Sequence, residues 1–415
     1  MDILKAKGSR WWLVASLYVS CALYLLFQGG KTSFMLFMIV NVLLLYLILG
    51  RWSGVARVHG TRKLQHKGGG ESLPAGSRLE VQLQLRVPGV WPIPYVMVRE
   101  RLIREGHGEM PFEIPFVPDI RRSGEISYLT PPLSRGHYRF APTVCSTWDI
   151  FGLFEHNGQF HSTGDFRVLP QTIDIRYWRQ LNRGMKGPFS HAASSRSAKE
   201  TTQLNGVREY HHGDRLSRVH WNATAKTGQW KSKEFEREAL PRTVVVLDRH
   251  VEAYAQPDRF ELAVSVAASL FEHGLRRETA MGLVSVGESA EGYVPRATPA
   301  QRKSVMSHLV GVAADSPLPL YAALKQAGSL LSPGSFAVVI TPQGGEETIK
   351  TMQWLERTGL VPCLIHIADD EGPLLSQDEP WQRLIRSRGW PFYAVRHLQE
   401  LPGKLEGGGA SAIGS

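Results

Sequence analysis

Thr243-Val244-Val245-Val246-Leu247-Asp248 is an aliphatic, β-branched run closed by a carboxylate. A short run with no polar alternation suits a strand buried on both faces. Four more apolar runs follow it, at Met281–Val286, Phe336–Thr341, Val361–Ile367 and Phe392–Val395. Between them lie amphipathic stretches at 260–275, 318–331, 348–358 and 381–388. Strands alternating with helices predict a mostly parallel sheet covered by helices on both faces, here over 241–415. In such sheets ligands sit beyond the carboxyl ends of the strands, which puts Asp248 and Thr341 at the rim.

Immediately upstream the chain reads Gly206-Val207-Arg208-Glu209-Tyr210-His211-His212-Gly213-Asp214-Arg215-Leu216-Ser217-Arg218-Val219-His220-Trp221. Residues 207–210 read as a short strand. Gly213-Asp214 reads as a turn, with Asp214 placed to cap the helix that follows. In that helix Leu216, Val219 and Ala223 form an apolar stripe, and Arg215, Arg218 and Asn222 a polar one. Three uses of these charges compete. Arg208, Glu209, Asp214 and Arg218 can form an internal ion-pair network that braces helix against strand. Glu209 and Asp214, with His212 or His220, can form an acid–base site if the turn brings them face to face. Arg208, Arg215 and Arg218 can hold an anionic ligand. The hydroxyls of Ser217, Thr224 and Thr227 show no activation motif.

The run 205–236 resembles the signature of the bacterial "domain of unknown function 58" family, approximately R-E-Y-x-x-G-D-x-x-R-x-I-x-W-x-x-[ST]-A-[RK] followed by a charged strand. The matching positions are Arg208, Glu209, Tyr210, Gly213, Asp214, Arg218, Trp221, Thr224, Ala225 and Lys226, with Val219 for the usual Ile. Weaker resemblance runs from the N-terminal apolar segments to the last strand. It includes Arg135-Gly136-His137-Tyr138 and Asp149-Ile150-Phe151-Gly152-Leu153-Phe154, where Ile150 replaces a usual Pro.

The family has no established reaction. The resemblance implies a von Willebrand factor type A-like fold for 241–415. Such domains often carry a metal-ion-dependent adhesion site, D-x-S-x-S with a distal Thr and Asp. Asp248 matches its first position, but His250 and Glu252 replace the serines and Thr341-Pro342-Gln343 offers no distal Asp. Hard divalent ions want clustered oxygen ligands, so Asp248 reads as a degenerate remnant with no metal and no other cofactor expected. His250 leaves a transition-metal site as the alternative. The resemblance also implies partners, a MoxR-type AAA+ ATPase and a transglutaminase-like membrane protein.

At the other end of the chain, Trp11–Gln28 and 34–49 are nearly uncharged apolar runs near the ~17–20 residues that cross a bilayer's hydrocarbon. Arg51 and Trp52 follow the second, placed to snorkel and anchor at the interface. The first run is long for a cleaved signal peptide and lacks a small-x-small cleavage site. Lys5, Lys7 and Arg10 precede the pair, Arg51, Arg57, Arg62, Lys63 and Lys67 follow it, and the connecting loop holds only Lys31. The positive-inside rule therefore predicts cytoplasmic termini and soluble parts. Three cysteines, one inside a span, make no disulfide framework and no metal-ligand spacing.

Residues 57–174 look all-β. Leu79, Val81, Leu83, Leu85 and Val87 alternate onto one face, 95–102 alternates more loosely, and Pro88-Gly89 and Arg135-Gly136 mark turns. Strand spacing predicts an immunoglobulin-like β-sandwich in which Trp148 and Phe151 serve packing. Residues 181–202, rich in Gly, Ser, Ala and Lys, read as a loop or linker. The resulting plan is a two-helix anchor (1–54), a sandwich (55–174), a linker with the signature unit (175–240) and the α/β domain (241–415). The net charge of +10 sits partly beside the spans, where anionic lipid holds it, and no nucleic-acid-binding signature accompanies it. The expected function is that of a membrane-anchored scaffold without catalytic activity, acting with the implied ATPase in assembly or maturation of envelope proteins.

Overall fold

A computed structural model describes residues 2–50, 53–65, 73–89, 93–149, 151–178, 199–211, 216–238, 242–369 and 379–407. The chain divides into two compact units, Met1–Leu169 and Pro170–Ser415.

The first unit begins with two helices, α1 (Asp2–Gln28) and α2 (Gly30–Leu49). Both are long and apolar enough to cross a membrane, over Trp11–Gln28 and Gly30–Leu49. Gly29 takes a positive φ of 54°, which allows the chain to reverse within one residue. Tyr18 and Phe37 then meet at 5.5 Å between the two helices. The second span is longer than expected, because Lys31, Thr32 and Ser33 are wound into α2 and the Ser33 hydroxyl bonds back to the Gly30 carbonyl at 3.0 Å. Arg51 and Trp52 lie outside the described residues.

The helices lead into ten strands: β1 (His59–Gln65), β2 (Leu73–Pro74), β3 (Glu80–Arg86), β4 (Val96–Arg104), β5 (Gly108–Phe116), β6 (Ser123–Leu129), β7 (Gly136–Phe140), β8 (Thr143–Trp148), β9 (Glu155–Phe160) and β10 (Phe166–Leu169). They form a three-stranded sheet, β1-β3-β6, and a larger sheet, β2-β10-β7-β4-β8-β9, with β5 paired to β4. One core joins the two sheets. Leu79, Val81, Leu83, Leu85 and Val87 enter it from one sheet, and Val96, Val98, Leu102 and Cys145 from the other.

The loose alternation in β4 has a specific cause. Glu100 takes an inward position between Val98 and Leu102 and is fully buried. There it pairs with the equally buried Arg62 and accepts hydrogen bonds from Thr143 Oγ1 (2.7 Å) and the Tyr128 hydroxyl (2.5 Å). The Arg62 guanidinium lies over the Phe140 ring at 4.0 Å. A buried charge on an inner face is tolerable only when paired and hydrogen-bonded, and this one is.

The second unit starts earlier than the α/β pattern suggests. Residues 170–178 run along the helix Pro257–Arg276 rather than closing the sandwich. Ile173 N donates to Ser269 Oγ at 3.1 Å, and the Ile175 carbonyl meets His273 Nδ1 at 2.6 Å. Trp178 is fully buried against Phe336. The boundary therefore falls before the expected residue 174, since Ile173, Ile175 and Trp178 serve the second core. Most of the expected 181–202 linker lies outside the described residues. Its last residues belong to β11 (Lys199–Glu209), which pairs antiparallel with β12 (Lys231–Glu238).

The α/β domain is close to its predicted form. Its strands are β13 (Thr243–Asp248), β14 (Met281–Val286), β15 (Ala290–Arg296), β16 (Phe336–Thr341), β17 (Val361–Ile367) and β18 (Phe392–Val395). They form one sheet in the order β15-β14-β13-β16-β17-β18. All neighbours are parallel except β14 and β15. Val245, Leu247, Val338 and Ile340 pack into a core with the helix Pro257–Arg276, whereas Val244, Val246, Ala337 and Val339 face the opposite core with Met352 and Leu355. That two-sided burial explains the unbroken apolar runs. The order 3-2-1-4-5-6 reverses between β13 and β16, which makes their carboxyl ends the topological switch point.

Candidate functional site

Asp248 ends β13 at that switch point, fully buried. Its Oδ2 accepts from the Thr341 hydroxyl at 2.7 Å, and its Oδ1 from the His250 backbone N–H at 2.9 Å. The Tyr254 hydroxyl donates to the Asp248 carbonyl at 2.8 Å. Burial raises the carboxyl pKa, and the bonds from Thr341 and His250 offset part of that rise.

Around Asp248 the network continues. Gln343 N donates to Thr341 Oγ1 at 3.0 Å, and Gln343 Nε2 meets His250 Nδ1 at 3.0 Å. The neighbouring Arg249 is buried, pairs with Asp315 and donates from Nε to the Ala313 carbonyl at 2.8 Å. Ser316 bridges to His250 by backbone pairing. On the far side of Thr341, His366 at the end of β17 packs against Trp381 with ring centres 5.5 Å apart.

This arrangement does not fit a hard divalent cation. Both Asp248 oxygens already accept hydrogen bonds from within the fold, the position beside them holds an imidazole, and Glu252 is exposed on the short 3₁₀ turn Val251–Ala253. Asp248 acts instead as an internal tie between the first and fourth strands of the sheet.

The signature residues assemble around the β11–β12 hairpin. Arg208 and Glu209 end β11, opposite Ser232 and Lys231. Glu209 is exposed, with its side chain 72% accessible, and pairs with Lys231 at 3.3 Å. The Arg208 guanidinium donates to the Glu209 carbonyl at 2.9 Å. An enclosed charge network through Glu209 is therefore not what forms: this carboxylate faces solvent. Gly213 and Asp214, with His212 and Arg215, lie outside the described residues, so the Gly213-Asp214 turn and the Glu209–Asp214 pairing do too.

The single helix expected over Leu216 to Ala223 is instead two pieces, a 3₁₀ turn at Leu216–Arg218 and α3 (Trp221–Thr227). Between them Val219 bridges to Ser232, and His220 N donates to the Lys231 carbonyl at 2.8 Å. Those backbone bonds draw the chain against β12 and break the helical register. Val219 is buried while Leu216 is exposed, so the expected stripe does not form as a unit. The N-cap of α3 is His220, whose Nδ1 accepts from Ala223 N at 3.1 Å. Thr224, the hydroxyl position of the signature, accepts from Lys231 N at 3.0 Å. Thr224 therefore holds helix to strand, as the His220 backbone N–H does.

What this unit presents outward is aromatic. Tyr210 and Trp230 meet edge-on at 5.3 Å, and Trp221 lies 6.1 Å from Trp230. Trp221 is 62% exposed and Trp230 50%, with Leu216 and Val207 also exposed nearby in the chain. Lys226 lies in the last turn of α3 on an exposed position, and Arg218 is half-buried. Trp230 was not anticipated as a site residue. Its signal was its place immediately before the charged strand, beside the Gly228-Gln229 turn.

Fold and site together define a membrane protein with two spans and a von Willebrand factor type A-like mixed-sheet domain whose adhesion-site position is closed by internal hydrogen bonds. Residues 206–370 match the family model described as "Protein of unknown function DUF58", so the chain carries a domain of that family. It is similar to "Uncharacterized protein YeaD" of Bacillus subtilis (strain 168), at 26% identity over 72% of this chain and 73% of that protein. Among solved structures, a von Willebrand factor type A protein from Catenulispora acidiphila aligns at 14% identity with a TM-score of 0.29, covering 42% of this chain and 43% of that one. Proximal thread matrix protein 1 from the mussel byssus aligns at 12% identity with a TM-score of 0.28, covering 40% and 45%. The chain thus spans under half the length of these two structures.

Proposed function

We propose that this protein is a membrane-tethered, non-catalytic adaptor whose soluble units lie in the cytoplasm, and that it binds a MoxR-type AAA+ ATPase through the signature unit. The basic residues flanking the two spans support the orientation. On this reading the sandwich, immunoglobulin-like in character, is a spacer, and the α/β domain is a rigid platform. The client processes are assembly or maturation of envelope proteins, with a transglutaminase-like membrane protein as a further partner.

The observation that carries the reading is the Tyr210–Trp230–Trp221 cluster, in which both tryptophans are exposed and Tyr210 is half-buried. Trp221, a residue by which the segment resembles its family, stands at the surface beside Trp230, on a hairpin and helix fixed to each other by backbone bonds. Exposed tryptophans on a rigid element are costly for solubility and are the side chains most often found at binding hot spots. The alternative acid–base role draws little support from the geometry. Glu209 is engaged with Lys231 in solvent, and His220 caps a helix.

The test is direct binding of the full chain in nanodiscs to a purified MoxR-type ATPase, with and without nucleotide. Trp221→Ala and Trp230→Ala are expected to weaken binding roughly thirtyfold, the effect of losing a hot spot worth about 2 kcal/mol. Unchanged affinity in both variants would remove the signature unit from the interface.

A further inference from the structure

We propose that the sandwich has its own footing on the bilayer: two of its loops, at 117–122 and 151–154, insert apolar side chains into the interfacial zone beside the helix hairpin. The proposal rests on the two spans and is independent of the ATPase.

Both loops are tied to the membrane end of the helices. Trp11, the first residue of the first span, packs on Phe154 with ring centres 4.5 Å apart. Tyr46, in the last turn of α2, meets Phe151 edge-on at 6.0 Å. Tyr46 lies three residues before the end of α2, hence about 5 Å inside it at 1.5 Å per residue. A ring touching Tyr46 from outside the helix is therefore at the depth where aromatic belts sit. The turn is built to hold that ring out. Asp149 accepts from the backbone N–H groups of Phe151 (2.8 Å), Leu153 (3.2 Å) and Phe154 (2.6 Å), and Gly152 takes a positive φ of 65°. Phe151 remains 57% exposed despite its contact with Tyr46.

The second loop is fastened where the chain leaves the second span. Arg122 donates to the Ser53 carbonyl and, from Nε at 2.9 Å, to the Val87 carbonyl. Asp119 closes the turn by accepting from Ser123 N at 2.7 Å. On this clamped turn Ile120 is 103% exposed and Val117 72%, with Arg121 exposed beside them. An aliphatic pair next to an exposed arginine, on a rigid loop bonded to the span's exit, matches a bilayer with anionic headgroups better than it matches water. Continuity with the spans names the occupant: the membrane those helices cross.

The test uses the full chain in phosphatidylethanolamine–phosphatidylglycerol vesicles, labelled with an environment-sensitive fluorophore at Ile120→Cys or Phe151→Cys. The native Cys21, Cys145 and Cys363 are buried, which directs the label to the new site. The control is His107→Cys, in the turn at the opposite end of the paired β4 and β5, about 30 Å away for nine residues of strand. Lipids carrying a quencher near the headgroup are expected to quench both loop labels several-fold more than the control, with a blue-shifted emission. Quenching at either loop no greater than at position 107 would overturn the two-loop footing.

Discussion

His366 sits at the carboxyl end of β17, beside Thr341 and against the rings of Trp381 and Phe392. Burial lowers its pKa to about 4, against the contrary pull of a hydrogen bond with the Gln343 backbone and of Asp369 and Glu379. Because the folded value lies below the unfolded one, the unfolded chain takes up the proton first as pH falls. The stability held by neutral His366 is complete above about 6.5 and is lost progressively down to about 4, to a total on the order of 3 kcal/mol. His273, also lowered chiefly by burial, adds to the same slope. Chemical unfolding of the detergent-solubilised chain is therefore expected to show stability falling over this window. His366→Gln, polar but not titrating, should make that fall shallower. An unchanged slope would show that His366 takes up its proton as readily in the fold as in the unfolded chain, against a lowered pKa.

Elements differ sharply in what their charges do. In the sandwich Arg62 and Glu100 have fully buried side chains, and Glu100→Ala leaves a guanidinium without its carboxylate, a loss of about 3–5 kcal/mol. In the signature hairpin Glu209 pairs with Lys231 in solvent, so Glu209→Gln is expected to change stability by less than about 1 kcal/mol. Thermal melts of the two variants check the contrast, and a large loss in Glu209→Gln would restore a bracing role for it. The same contrast marks what sequence reveals. Strands β13, β14, β16 and β17 were legible because burial on both faces keeps them almost continuously apolar, and β18 as a short apolar run at the sheet edge. The edge strand β15 was not, since Ala290–Arg296 carries Glu, Gly and Pro and is mostly exposed. The helix Pro299–Gly311 has no clear apolar stripe and was missed as well. Asp248 and Thr341 were placed at one rim from strand ends alone, but their direct bond was not legible. Nor was the break at Val219 in the signature, because long-range pairing with Ser232 overrides a local helical pattern.

At the scale of the molecule, the two spans and the ten-stranded part make the first compact unit, and residues from Pro170 on make the second. The order assigns the bilayer to the first unit and leaves the signature unit and the mixed sheet in the second. An adaptor for an ATP-driven machine must present that second unit where ATP is, so the proposed function depends on which side of the membrane the chain leaves. The flanking charges bear on this: Lys5, Lys7 and Arg10 before the pair of spans and Arg51, Arg57, Arg62, Lys63 and Lys67 after it, against Lys31 between them. The most direct measurement is a topology reporter fused after Ser415, read in intact cells beside a fusion within the Gly29-Gly30 turn. The account predicts a cytoplasmic signal at Ser415 and an extracytoplasmic one at the turn. An extracytoplasmic signal at Ser415 would contradict it.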